Sequence, residues 1–409
     1  MNGLEIFERK VAEIQASAYY RAPIAFGIAR VSRSRFNAEK ILQAVFPVIN
    51  FKESYKTAAI FLSALKASGA EIGAIGANGS IGGGGELVAD LNVDFINEAL
   101  NDFAPFIDEA IGEKHKNVQV LLELAKIAQD DTLRDFRAVF LFEDEKPQSL
   151  EAVYLKLYAI SSGKAALRSL NLTGAFGVLP NVAWVGNEPF DLDYLREHEI
   201  ELKVRGEFPH IDFVDKFPRY LQHIIPADNV RILDGSKVRM GAHLAAGTTI
   251  MPGASYVNFN AGTTGACMVE GRISSSAIVG AGSDVGGGAS ILGVLSGTSG
   301  KPVTIGKNTL LGANSVTGIP LGDGCIVDAG IAILEGTKVA ITEADAIEIA
   351  KVNPSFPSLP ASRGVGGDQV VKAIALAGMH GIHFRVNSQT GQTQAARSKR
   401  EVKLNTELH

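Results

Sequence analysis

The sequence predicts a parallel β-helix joined to an α/β domain and followed by a short C-terminal segment. Between residues 238 and 339 an aliphatic residue, often followed by Gly, recurs every six positions. Glycine accounts for 44 of 409 residues, yet no stretch is low in complexity. Upstream of this region the chain alternates helical and strand-like patterns, as a mixed sheet-and-helix domain does.

The six-residue period decides the fold class. An amphipathic helix needs apolar residues every three to four positions and a half-buried strand every two, so one aliphatic residue in six fits neither. A unit of a short strand and a turn cannot bury its aliphatic side chain alone, but stacked coils merge those side chains into one apolar column. The clearest copies are Val279-Gly280, Val285-Gly286, Ile305-Gly306, Leu311-Gly312 and Leu321-Gly322. Val238, Leu244 and Ile250 precede them, and Val327, Ile333 and Val339 continue the series.

Before the repeats, Leu4, Phe7, Val11 and Ile14 mark a helix over 3–17, and residues 26–31 read as a strand. Helical patterns follow at about 57–68, 86–112 and 117–129, then a strand at 137–142 and a helix at 149–161. Pro209, Pro218 and Pro226 punctuate a connector, which places a boundary near 226–235. After residue 339 the period fails: 342–352 looks helical, 353–360 is broken by proline, and two strands at 382–386 and 392–396 flank a turn. The domains expected are therefore an N-terminal α/β domain at 1–230, the β-helix at 231–340, and a helix with a hairpin at 341–409.

Composition excludes several function classes. The formal charge is −5, from 39 Lys and Arg against 44 Asp and Glu. The one basic cluster, Arg397-Ser398-Lys399-Arg400, reads as a solvated end, so no nucleic-acid partner is expected. Cys267 and Cys325 are too few for a disulfide framework or a Cys-rich zinc site and suit a reducing cytoplasm. No apolar run approaches the length that spans a bilayer, and residues 1–9 do not form a signal peptide, so a cytoplasmic location without membrane attachment is expected.

Among candidate sites, the glycine-rich stretch 73–85 lacks the Gly-Lys-Ser/Thr ending and the G-x-G-x-x-G spacing of a phosphate loop and reads as a surface loop. Ile291 to Ile305 spans fourteen positions, two beyond two whole repeats, so Gly293 to Pro302 is expected to bulge from the coil. Such a loop either closes over a ligand or is a tolerated insertion. His243 alone among the histidines falls in the regular coils and reads as a packing or surface residue, so no metal site is expected. In Met268-Val269-Glu270-Gly271-Arg272, opposite charges interrupt an apolar stretch. A surface ion pair or a charge at a coil corner explains them; so does a reactive carboxylate beside an anion-binding guanidinium. Acyl transfer to an amine requires a group that takes its proton or carries the acyl group, and Glu does either. Arg offers bidentate hydrogen bonds to a carboxylate.

At these residues the sequence resembles the tetrahydrodipicolinate N-succinyltransferases, in their longer-chain form. The resemblance runs through Asn258-Phe259-Asn260-Ala261-Gly262-Thr263, Met268-Val269-Glu270-Gly271-Arg272-Ile273 and Gly282-Ser283-Asp284-Val285-Gly286-Gly287-Gly288-Ala289-Ser290. Supporting segments include Gly177-Val178-Leu179-Pro180-Asn181, Gly241-Ala242-His243-Leu244 and Phe384-Arg385-Val386-Asn387-Ser388, so the resemblance covers roughly residues 170–409. It implies a left-handed β-helix, a homotrimer with active sites between subunits, and succinyl-CoA as co-substrate with no tightly bound cofactor. The implied reaction transfers succinyl to the amino group of 2-amino-6-oxopimelate, the opened form of tetrahydrodipicolinate, on the route to diaminopimelate and lysine.

The resemblance makes Glu270 the catalytic carboxylate, either as general base or through an acyl anhydride. It makes Arg272, Gly287, Ser290, Gly293, Ala313, Asp328, Ala329 and Gly336 succinyl-CoA contacts, joined by Lys372, Arg385, Val386, Asn387 and Ser388 near the C-terminus. Asp328 stands where the family usually has Glu, and Val386 replaces a second Arg. Ser236 and Pro252 or Gly253 stand where acidic magnesium-associated residues are usual, so no metal is implied. The alternatives are an acetyl-CoA-dependent hexapeptide N-acetyltransferase and a non-catalytic hexapeptide scaffold; saturable coenzyme A binding separates the scaffold from either enzyme.

Overall fold

The computed structural model describes residues 2–69, 84–128, 131–294, 300–356, 361–364, 368–400, 402 and 404. The chain forms two compact units, Met1–Ala159 with Leu170–Pro218, and Ile160–Ser169 with Arg219–His409.

The first unit is built on an antiparallel sheet. Its elements before residue 170 are α1 (Gly3–Gln15), β1 (Ala25–Arg33), β2 (Ile41–Val45), β3 (Ile49–Phe51), α2 (Tyr55–Ala67), β4 (Glu86–Asp90), α3 (Val93–Asp102), α4 (Lys116–Ile127), β5 (Phe136–Leu141) and α5 (Leu150–Ser161), and Val182–Val185, Glu188–Asp191 and Phe213–Asp215 form a second, three-stranded sheet. The strands lie in the order β2-β1-β5-β4, with β3 also pairing β1. Phe26 and Phe140 stack at 5.5 Å on neighbouring strands, and Phe61 of α2 meets Phe26 edge-on at 6.1 Å, which locks helix to sheet. Gly27 is required here, since a Cβ would lie 2.7 Å from the Val48 carbonyl oxygen. Lys156 on α5 is 1% exposed, and its ammonium is satisfied by Asp144 Oδ1 and the carbonyls of Glu145 and Asn171.

The helix expected over 86–112 is instead a strand, a turn and a helix. Residues 86–90 alternate in burial as a strand does, and Val88 pairs with Val139 of β5. Asn92 then caps α3 by accepting from the Phe95 amide. The glycine-rich stretch 73–85 lies outside the described residues except for Gly84 and Gly85, whose carbonyl accepts from the Phe142 amide.

In the second unit the chain passes repeatedly through three parallel sheets. Thr249–Ile250, Met268–Val269, Asp284–Val285, Leu310–Leu311 and Ile326–Val327 stack on one face. Tyr256–Val257, Arg272–Ile273, Ser290–Ile291, Val316–Thr317 and Ala332–Ile333 form the second. Gly262–Thr263, Ile278–Val279 and Thr304–Ile305 form the third, continued by Leu321 through a bridge to Ile305. These are the coils of a parallel β-helix, and the second residue of each pair points inward to one buried core.

The period is six with informed exceptions. Val269 and Ile273 occupy consecutive faces only four positions apart, as do Thr317 and Leu321, so two corners are shortened by two residues. Ile291 and Ile305 also occupy consecutive faces, fourteen positions apart; residues 295–299 between them lie outside the described residues.

Corner residues carry the turn. Gly288 has φ +72° and Asn314, one coil on, has φ +56°; a Cβ on Gly288 would lie 2.3 Å from Asn314 Oδ1. Arg168 ties two coils together: its guanidinium donates to the Ser276 and Val303 carbonyls and to Thr304 Oγ1, and its amide donates to Asn260 Oδ1. His243 packs its ring against Gly163, where a Cβ would meet Cε1 at 2.8 Å, and burial lowers its pKa.

The C-terminal residues add to the same core. Thr342 caps a helix at Glu343–Val352 through its hydroxyl and the Asp345 amide. The antiparallel pair Ile382–Val386 and Thr393–Arg397 continues the first face, with Ile326 beside His383. The first half of the basic cluster is tethered, while Lys399 and Arg400 are exposed as a solvated end would be. The Arg397 guanidinium donates to the Gly381 and Ser398 carbonyls, its amide donates to Asp345 Oδ1, and Ser398 is buried, because residue 397 still belongs to a paired strand.

Both cysteines are buried free thiols, and burial pushes Cys267 up to about 12 and Cys325 up to about 11. Neither should react with a thiol reagent at pH 8 in the native protein, and both should react once it is unfolded; prompt native labelling would contradict this core. Gly271 sits at a shortened corner where a Cβ would lie 2.3 Å from the Ala289 carbonyl oxygen, whereas Gly336 faces open space. Gly271→Ala should cost about 1–3 kcal/mol in denaturant unfolding, and Gly336→Ala should stay within about 0.5 kcal/mol.

Candidate active site

The corner between the first and second faces forms a continuous edge. The Gly288 amide donates to the Glu270 carbonyl, the Asn314 amide to the Gly287 carbonyl, and the Gly330 amide to the Ala313 carbonyl. Glu270, Gly287, Ala313 and Ala329 are thereby stacked on successive coils. The Asp328 amide donates to the Phe384 carbonyl, which places Arg385 next along the same edge.

Glu270 stands at the head of this edge because its corner is short. Gly271 lets the backbone pass closely over Ala289, and the Glu270 carboxylate lies over Gly287, with Oε2 at 3.5 Å from where a Cβ would be. The side chain is half-buried and, among the described residues, has no hydrogen-bond or ion-pair partner. A carboxylate so placed is available to take a proton or to attack a carbonyl. Glu270 and Arg272 do not pair with each other; Arg272 lies on the second face and donates from Nε and Nη2 to Ser290 Oγ at 3.1 and 2.6 Å. The surface-ion-pair account of this segment is thus set aside.

The remaining expected contacts divide into three places. Arg272, Ser290 and Gly293 lie on or just beyond the second face, with Gly293 against Ser274 and Ser275. Gly336 is exposed at a later corner, and Lys372 is exposed on a strand paired with Lys338. Arg385 and Val386 are exposed at the end of their strand, while Asn387 and Ser388 begin the turn, where Asn387 Oδ1 accepts from the Gln389 and Thr390 amides. Asp328 takes a partner that sequence reasoning missed: His383 Nε2 lies 2.7 Å from its Oδ1.

Sequence reasoning also missed a polar cavity of about 430 Å³ lined by Arg239, Tyr256, Asn258, Arg272, Ser274 and Ser275, with Gly293 at its margin. The register assembles it. Val238 bridges Val257, which sets Arg239 beside Asn258, and Tyr256 pairs with Arg272. Among the described residues no group of three or more His, Cys, Asp and Glu side chains could hold a metal ion, and no helix is long and apolar enough to cross a membrane.

Comparison with known proteins matches this arrangement to one family. Residues 5–177 match the tetrahydrodipicolinate N-succinyltransferase N-terminal domain, 179–219 its middle domain, and 302–335 the hexapeptide repeat of succinyl-transferase. The N-terminal residues that showed no resemblance on sequence reading alone therefore fall within the same family. A Nitratiruptor protein named 2,3,4,5-tetrahydropyridine-2,6-dicarboxylate N-succinyltransferase is 61% identical, with 98% of this chain and 97% of that one covered. A Campylobacter jejuni protein of the same name is 54% identical over the full length of both chains. A crystal structure from Campylobacter jejuni, provisionally described as a 2,3,4,5-tetrahydropyridine-2-carboxylate N-succinyltransferase, superposes with a TM-score of 0.87 at 52% identity, covering 98% and 99% of the two chains. Matched along nearly its whole length in sequence and in fold, the chain belongs to the tetrahydrodipicolinate N-succinyltransferase family.

Proposed function

We propose that the protein transfers succinyl from succinyl-CoA to the amino group of 2-amino-6-oxopimelate, releasing coenzyme A on the route to diaminopimelate and lysine. The observation that carries this reading is the unpartnered Glu270 carboxylate at the head of an edge of small residues. Family membership supplies the substrates, and the geometry supplies the roles.

The thioester lies along the edge, where Gly287, Ala313 and Ala329 leave room for a pantetheine arm close to the backbone. In the general-base route the neutral amine attacks the thioester carbonyl, Glu270 takes the amine proton as the carbon becomes tetrahedral, and that proton passes to the sulfur as the C–S bond breaks and coenzyme A leaves as its thiol. In the anhydride route the Glu270 carboxylate attacks the thioester carbonyl and expels the thiolate, after which the amine opens the anhydride, its proton passes to the thiolate and the carboxylate is restored. Arg272 receives the distal carboxylate of the succinyl group, and Lys372 and Arg385 offer charge to the phosphates of coenzyme A. The coils wind left-handed, and three copies assemble in the cytoplasm with the sites in the clefts between them, which suits flat faces around a three-fold axis.

Coenzyme A release measured with succinyl-CoA and tetrahydrodipicolinate tests the reading. Glu270→Gln should lower kcat by about 10²- to 10⁴-fold with the succinyl-CoA KM changed only severalfold; a variant that retains native kcat removes Glu270 from the chemistry. Arg272→Ala should reduce kcat/KM for succinyl-CoA by roughly 10- to 100-fold and affect acetyl-CoA much less, since acetyl lacks the distal carboxylate. Equal losses with both donors would contradict that assignment.

A further inference from the structure

The edge headed by Glu270 continues past Arg385. Ile382–Val386 pairs antiparallel with Thr393–Arg397, so the second of these strands starts where the first ends. Lys338–Ile341 runs parallel to Thr393–Arg397 and starts on the same side, and Gln369–Lys372 runs back against it and ends there. Lys338 therefore stands directly opposite Lys372. The Ala373 amide donates to the Thr337 carbonyl, which makes the two lysines a non-hydrogen-bonded pair, the kind whose side chains lie closer together. The next pair, Val339 and Val371, points into the core, so both lysines point outward, and both are exposed.

Like charges directly opposite each other destabilise a sheet. The outward positions of the adjoining row, Val370, Ala340 and Gln394, are neutral, and that row leads to a third cation, Arg385, opposite Gln394. Among the described residues neither Lys338 nor Lys372 has a hydrogen-bond or ion-pair partner for its ammonium. An anion held by both ammoniums relieves their repulsion.

We infer that Lys338, together with Lys372, binds the 3′-phosphate of coenzyme A, and that Lys338 makes the protein select coenzyme A over its 3′-dephospho form. The inference rests on the succinyltransferase reading, with the thioester at Glu270. From that end coenzyme A carries its groups in a fixed covalent order: the pantetheine arm, the pyrophosphate, then the ribose with its 3′-phosphate. The edge presents its residues in the matching order. Gly287, Ala313 and Ala329 leave room for the arm, Arg385 offers the first charge, and the strand of Lys338 lies two strand spacings further on, roughly 10 Å. A phosphate monoester carries about −1.5 to −2 charges at neutral pH and three acceptor oxygens, which two ammoniums share.

The test compares succinyl-CoA with 3′-dephospho-succinyl-CoA in the release assay, and coenzyme A with 3′-dephospho-coenzyme A in calorimetry, on native protein, Lys338→Gln and Lys338→Arg. Native protein should bind the 3′-dephospho form roughly tenfold more weakly. Lys338→Gln should raise the succinyl-CoA KM and the coenzyme A Kd by roughly 5- to 20-fold, with the values for the 3′-dephospho forms within about twofold of native. Lys338→Arg should recover most of the loss, and the thermal midpoint of Lys338→Gln without ligand should be no lower than native, since one of two facing charges is gone. Lys338→Gln that weakens both forms equally, or neither, would overturn the subsite and leave the transferase reading standing. Discrimination between the two forms that depends on Lys338, without turnover of tetrahydrodipicolinate, would keep the subsite and overturn the reading.

Discussion

Each coil satisfies its backbone by donating to its neighbour, so the register that stacks Val257 on Ile273 and Ile291 inside also stacks Tyr256, Arg272 and Ser290 outside. Slipping one residue would turn the aliphatic column outward and the polar ladder inward, which the buried core forbids. The apolar interior therefore positions the outer side chains. Arg272 meets Ser290 because Ile273 must sit over Ile291, and Arg239 meets Asn258 because Val238 must sit beside Val257.

Two of the departures from the six-residue rule lie where function is placed. The shortened corner after Val269 depends on Gly271, whose lack of a Cβ allows the backbone to pass over Ala289, and it leaves Glu270 above Gly287. The long step from Ile291 to Ile305 begins with Gly293, at the margin of the two-arginine cavity. An ideal solenoid would have neither feature and would offer only a flat face. Here one of the two four-position corners and the long step from Ile291 lie on either side of Arg272.

The inner side of the fold was legible in the sequence and the outer side only partly. One aliphatic residue in six is a strong signal because burial favours apolar side chains at those positions, with Thr263 and Thr317 buried among them, and Glu270 and Arg272 stood out against it. The strand at 86–90 was missed because its alternation is short and runs directly into the apolar pattern of α3. Arg239 was missed for a different reason: Ile250 to Val257 takes seven positions, so counting sixes does not bring Arg239 beside Asn258, and only the register does. The tethering of Arg397 likewise depends on Gly381 and Asp345, which are distant in sequence.

The central claim is that the edge running from Glu270 through Gly287, Ala313 and Ala329 receives the acyl-carrying arm. A crystal structure of the protein with coenzyme A bound tests it most directly. The account predicts continuous density along that edge with the sulfur next to the Glu270 carboxylate. Coenzyme A seated elsewhere, with its sulfur remote from Glu270, would contradict it.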